Sequence, residues 1–415
     1  MQKLLIATSL LFTACHNPNY CAGNPDNNCN ETGDGSVGSD GPEAVDCTVS
    51  GCSGVSTGGV CDTGTKACVV CTATIHDACA GTAPVCSTTD TCRACVTNSE
   101  CSSDACMPDG SCAAATDVAY VDASKSGTTC ARGDECHTVS LALATNKSII
   151  RVTGKTSESV LVPRTLFLLG DHDVNNAITS GVTGASGTVI SVGGALNLTM
   201  VDMAIDGGGT ATYGLNNSSS GTVVANHSSF ANTTTYGVYS TAGTVNLHRA
   251  MIALNKIAGI NLTSSTFNID NSFIVHNGDI NNVSALGGIY LSLSTGTLSF
   301  STIAKNISLG SGPHGVNCST ATTLAFSNNI VYYNSNGPFT GNCGWTYSEL
   351  DSTTAPTGAG NITSAPTFKD LANDDFHLDA GSPGENNGSG SLKLDFDNQQ
   401  RPMGTGPDIG ADEVQ

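Results

Sequence analysis

A chain of 415 residues has room for two or three domains, yet only 12% of it is charged and its formal net charge is −20. That acidity excludes a nucleic-acid partner, which demands clustered Lys and Arg. Nineteen cysteines exclude an ordinary reducing cytosol.

The opening residues 1–14 place Lys3 ahead of an apolar run from Leu4 to Phe12 and end in Thr13-Ala14 before Cys15. Such a run is too short to span a bilayer and reads as an export signal. It resembles a bacterial lipoprotein signal, although Phe12 stands where leucine is commoner. The resemblance implies that Cys15 is the acylated first residue of the mature chain and its membrane anchor. Parity agrees, because setting Cys15 aside leaves an even number of cysteines for disulfides.

Residues 15–46, nearly free of apolar side chains, read as a flexible tether in which Cys21 and Cys29 are expected to close one small loop. Residues 47–115 carry twelve cysteines in three sets of four: 47/52/61/68, 71/79/86/92 and 95/101/106/112. The pairs Cys68/Cys71 and Cys92/Cys95 have a zinc-ribbon spacing. They serve equally as module boundaries, and an exported chain with so few large apolar residues needs disulfide staples. Disulfide modules without metal are therefore expected. The third set is similar to cysteine-rich repeats of myxobacterial surface proteins and, loosely, to the Dickkopf N-terminal module. That likeness implies a stalk or protein-binding module.

A new domain, 116–345, opens with a strand at Val118–Asp122, a loop holding Cys130 and Cys136, a short helix over 138–145 with Leu141, Ala142 and Thr145 on one face, and a strand at Ile149–Thr153. This order resembles the N-terminal cap of pectate-lyase-like β-helices. Between Leu196 and Asn334 one pattern then recurs six times, as in Leu247/Arg249/Ile252/Asn255 and Ile269/Asn271/Ile274/Asn277, with a period near 25. The units alternate Val, Ile, Leu and Thr and break at Gly and Asn, which is strand-and-turn chemistry. A second register repeats Gly214-Leu215, Gly237-Val238, Gly259-Ile260, Gly288-Ile289 and Gly315-Val316. The predicted fold is all-β: a right-handed single-stranded parallel β-helix with N- and C-terminal caps behind a disulfide-rich stalk. Asn226, Asn271 and Asn328 are expected to stack as an interior ladder. Cys318 and Cys343 are expected to clamp the far end.

Residues 346–415 contain Gly360-Asn-Ile-Thr-Ser-Ala-Pro-Thr-Phe368, Asp375-Phe-His-Leu-Asp379 and Asp408-Ile-Gly-Ala-Asp-Glu413. They closely resemble the C-terminus of the choice-of-anchor Q family of bacterial surface β-helix proteins, which implies a cell-surface location without establishing an activity. Phe368, Phe376, Leu378 and Ile409 are expected to cover the last coil, and Asp395 and Asp397 to be solvated turn acids.

A β-helix lyase or hydrolase needs clustered carboxylates with Arg or Lys beside them. Residues 196–334 offer only Asp202, Asp206, Asp270 and Asp279. Pro313-His314-Gly315 approaches the polygalacturonase Gly-His-Gly without its acids. His248 and Asp270, one coil apart, are expected to be an outward solvated pair. No catalytic residue, cofactor or metal is assigned. Strand alternation instead puts Asn216, Tyr239, Asn261, Tyr290 and Asn317 on one outer face, with Tyr239 and Tyr290 two coils or ~9.6 Å apart. These five are the glycan-binding candidates. The expected protein is a monomeric, lipid-anchored envelope protein displaying a β-helix toward a polysaccharide or surface protein; the alternative is a polysaccharide lyase or glycoside hydrolase.

Overall fold

The computed structural model describes residues 48, 52, 59–72, 75, 79–173, 176–308, 315–320 and 323–415. Cys15, Cys21, Cys29, Cys47, Pro313 and His314 lie outside them.

Three parallel sheets run the length of a β-solenoid, with nine, eight and ten strands. One coil contributes one strand to each, as Thr222–Asn226, Ser229–Ala231 and Tyr236–Thr241 do. The first sheet runs from Lys155–Ser157 to Glu349–Leu350, the second from Val160–Val162 to Phe339–Thr340, the third from Val118–Asp122 to Trp345–Thr346. Stacking puts like above like. Leu215, Val238, Ile260, Ile289 and Val316 pair in sequence along the second sheet. In the third, Met200, Ala225, Leu247, Ile269, Leu298 and Phe326 do the same. All are buried in one continuous core, where each large aliphatic side chain contributes ~1.5–3 kcal/mol.

The asparagine ladder exists at a different place from the one expected. Asn226 pairs with His248 and so belongs to a strand, out of register with Asn271 and Asn328. Asp202, His227, Arg249, Asn271, Phe300 and Asn328 form one corner column instead, each with φ between 45° and 59°. In that left-handed turn the side chain leaves the core. The interior ladder is made by the closing residues Asn255, Asn277, Asn306 and Asn334. The Nδ2 of Asn255, Asn277 and Asn306 each donates to the next Oδ1 at 2.9–3.0 Å, and all four donate to a backbone carbonyl of the coil behind. This explains the glycine register. A Cβ on Gly237 or Gly259 would come within 2.6 Å or 2.8 Å of the ladder amides of Asn255 and Asn277.

At the start of the solenoid, Val139–Leu143 is helical and Thr138 Oγ1 accepts the Leu141 N–H. Val139 and Ala142 bury, whereas Leu141 is exposed, so the inward face differs from the expected one. Cys130 bonds Cys136, and Cys318 bonds Cys343 beside Trp345 and Phe339 at the far end. In the second and third cysteine sets the first residue bonds the third and the second bonds the fourth: 71–86, 79–92, 95–106 and 101–112. Cys68 bonds Cys52. Every cysteine of the two CxxC pairs is therefore oxidised into a different bridge, which removes the thiolates a zinc ribbon needs. Such dense cross-linking belongs to an oxidising, extracellular setting.

The four apolar tail residues do not cover the last coil, whose strands are met by residues 359–362 instead. Phe368, Phe376, Leu378 and Ile409 pack sideways on the outer face of the first sheet, against Phe273, Val275, Ala304 and Ile330. The chain then returns along the corner column. Asn328 exchanges hydrogen bonds with Ser389, Asn271 Nδ2 donates to Leu394 O at 2.6 Å, and Arg249 Nε donates to Phe396 O at 2.9 Å. The apolar outer residues of the first sheet require this lid, since their exposure would leave a large apolar patch.

Candidate functional site

Two places gather chemistry outside the core: the outer face of the second sheet, and the corner between the third and first sheets.

On the second sheet, Asn216, Tyr239, Asn261, Tyr290 and Asn317 pair in successive coils as one column. Tyr213 and Tyr236 join them from the residue before the marker glycine. The rings of Tyr213, Tyr236 and Tyr239 stack on one another, with centroids 5.2–5.8 Å apart and interplanar angles of 15–27°. Tyr239 is therefore packed against two neighbouring rings rather than standing alone. Tyr290 has no ring stacked on it among the described residues. Burial raises the Tyr236 phenol, opposed by the amide group of Asn261 beside it. The Asn216 and Asn261 amide oxygens, beside these rings, have no hydrogen-bond partner. The result is an amphipathic strip of rings, hydroxyls and amides without a charge, suited to polyhydroxylated or amide-rich ligands. Sequence reading missed Tyr213 and Tyr236, although the Tyr-Gly pair recurring after 23 residues was a usable signal.

His248 and Asp270 do meet, with Nδ1 2.7 Å from Oδ2, and that hydrogen bond raises the imidazole pKa. Their column continues to Asn226 on one side and Ser299 on the other, so no second carboxylate stands in it for paired acid–base work. Asp206 ends the strand Met203–Asp206 and is taken up by structure, accepting from Gly208 N and Asn232 Nδ2.

The corner is richer than its sequence suggested. Arg151, buried, holds Asp171 through Nη2 at 2.5 and 2.6 Å and reaches Asp104 O of the third cysteine module at 2.8 Å. Asp202 lies between His172 and His227. Along the tail, His377 sits between Asp375 and Asp397; the Asp397 contact raises it to about 9. Burial lifts neighbouring Asp412 to about 6. Asp395 and Asp397 are not solvated turn acids: Asp395 accepts the Gln399 and Glu413 N–H groups, and Asp397 serves His377. Nothing in the spacing of 172, 202, 227 and 377 announces this gathering, because coil insertions and a returning tail bring it about.

No sequence-family profile matches the chain. No curated protein is significantly similar to it in sequence. Among solved structures, the crystal structure of pectate lyase Pel9A matches with a TM-score of 0.44 and 14% identity, covering 72% of this chain and 96% of that chain. A likeness at that level carries no residue role across, and the β-helix assignment rests on strand order and register.

Proposed function

We propose that this protein is a lipid-anchored bacterial surface protein whose β-helix presents the tyrosine–asparagine face of its second sheet to an extended glycan. The observation that carries the reading is the in-register strip of Tyr213, Tyr236, Tyr239 and Tyr290 with Asn216, Asn261 and Asn317. Rings give apolar contact, hydroxyls and amides give directional bonds, and a rigid sheet holds both with little entropy to lose on binding. A repeating polymer suits a repeating surface, since successive sugar units meet successive coils ~4.8 Å apart. Export, tether and stalk support an outward position, and the disulfides support an oxidising surroundings.

The test is a glycan array on the whole mature chain, run beside a turnover screen on every polysaccharide that binds. The reading expects selective, saturable binding without product. Release of unsaturated or reducing ends would establish an enzyme instead, and binding only to envelope proteins would move the reading from glycan to protein contact.

A further inference from the structure

His172, Asp202 and His227 come from three successive coils and converge on one point. Asp202 Oδ1 lies 2.5 Å from His227 Nδ1 and Asp202 Oδ2 lies 3.1 Å from His172 Nδ1. The two rings meet edge to face with centroids 5.3 Å apart. Asp202 and His227 are almost wholly buried, at 9% and 4% exposure. Three separate parts of the chain fix the place. Asn98 of the third cysteine module donates to Gly170 O at 2.6 Å, two residues before His172, and Phe396 of the tail lies against the His227 ring. The neighbouring cations are committed elsewhere: Arg151 to Asp171 and Asp104, Arg249 to Phe396 O.

We propose that His172, Asp202 and His227 bind a first-row divalent ion of the zinc class. The open coordination position would face a cavity of about 340 Å³ bounded by Asn98, Asp104, Arg151, Asp171 and the ligands His172 and Asp202. The donor atoms all lie within 4.8 Å of one another. Metal bonds of about 2.0–2.1 Å set tetrahedral donors about 3.3 Å apart, so the 2.5 Å Asp202–His227 separation would open by about 0.8 Å and any donor pair near the 4.8 Å limit would draw together. His172 Nδ1, although close to Asp202, is buried and makes no hydrogen bond in this arrangement. An ion would satisfy that nitrogen, with each ring carrying its proton on Nε2. Two imidazoles and one carboxylate suit zinc, cobalt or ferrous iron, whereas calcium selects oxygen.

The other clusters serve less well. His377 commits Nδ1 to Asp375 and brings one imidazole to the two carboxylates Asp397 and Asp412, a poorer donor set for zinc than two imidazoles and one carboxylate. The groupings Cys71/Cys79/Cys92 and Cys95/Cys101/Cys112 consist of oxidised sulfurs. An ion at Asp202 would tie the cysteine module, the solenoid and the returning tail together, a role independent of the tyrosine face.

The experiment uses the whole mature chain without a polyhistidine tag, stripped by a chelator. Co²⁺ is titrated in and read by its visible absorption, then displaced by Zn²⁺. One equivalent per chain is expected. Asp202→Asn and His172→Ala should each weaken cobalt binding roughly a hundredfold, while His377→Gln leaves it unchanged. Because the His172 ring is partly exposed, His172→Ala is the variant that keeps the fold, checked by circular dichroism. Absence of saturable cobalt binding in the wild type, or wild-type binding by a folded His172→Ala chain, overturns the site.

Discussion

Asn277 and Asn306 share one oxygen. Asn306 Oδ1 accepts both the side-chain Nδ2 and the backbone N–H of Asn277, each at 3.0 Å, inside a fully buried turn. Asn271, six residues earlier, faces outward and spends its amide on the tail. Asn277→Leu should therefore destabilise the protein by ~2–3 kcal/mol, because it strands buried donors and acceptors in two neighbouring coils. Asn271→Leu should cost only ~1 kcal/mol. Urea unfolding separates the two; equal losses would contradict the ladder assignment.

Stability should fall on the alkaline side. Burial without a counter-charge raises Glu349 from its ordinary 4.5 to about 8, and the Asp397 contact raises His377 from 6.5 to about 9. Both folded values exceed the unfolded ones. The stability tied to each proton is thus complete below pH 4.5 and 6.5 respectively, and is lost as pH rises through about 8 and about 9. The urea midpoint should decline between pH 5 and 9. Glu349→Gln should flatten the lower part of that decline and exceed the wild type at pH 8.5. An unaltered profile would mean that the Glu349 carboxyl ionises in the fold.

The crossed pairing of the cysteine modules is open to mass mapping. Proteolysis without reduction should release 71–86 and 79–92 linked peptides and no 68–71 or 92–95 link. Removing Cys95–Cys106, which spans 11 residues, should destabilise its module by about 3 kcal/mol. It should also expose the Asn98 and Asp104 contacts to the solenoid as faster amide exchange near Gly170.

Anchoring is a separate matter. Expressed in a bacterium that processes lipoproteins, the wild type should partition into detergent and incorporate palmitate at Cys15, since two or more acyl chains hold far better than one. Cys15→Ser should appear in the soluble fraction or stay uncleaved. A soluble wild type without added acyl mass contradicts the anchor.

The β-helix was legible because its period is written in strongly apolar columns: Leu247 and Ile269 do stack, and Leu298 and Phe326 continue their column. Register was legible only where coils keep one length. Met200 and Ala225 belong to the same column at uneven steps, so the sequence does not show that Asp202 and His227 share a corner with Asn271. Asn271 and Asn328 sit at a corner whose left-handed turn aims the side chain away from the core and under the tail, so the ladder belongs to the asparagines six residues later. The tyrosine column survived because Gly237, Gly259 and Gly288 mark a constant place in each coil. The returning tail was illegible: Leu394 and Phe396 meet residues more than 120 positions away through backbone carbonyls, and carbonyls leave no trace in a sequence.

The tyrosine face is tested most directly by equilibrium titration of the glycan that the array selects. Tyr290→Ala and Tyr236→Ala should each weaken binding about tenfold or more, equivalent to about 1.4 kcal/mol, as expected of aromatic anchors. The Tyr290→Ala melting temperature should stay near the wild-type value because that ring stacks on no other. Full affinity in both variants, with their fold intact, would contradict a binding role for this face.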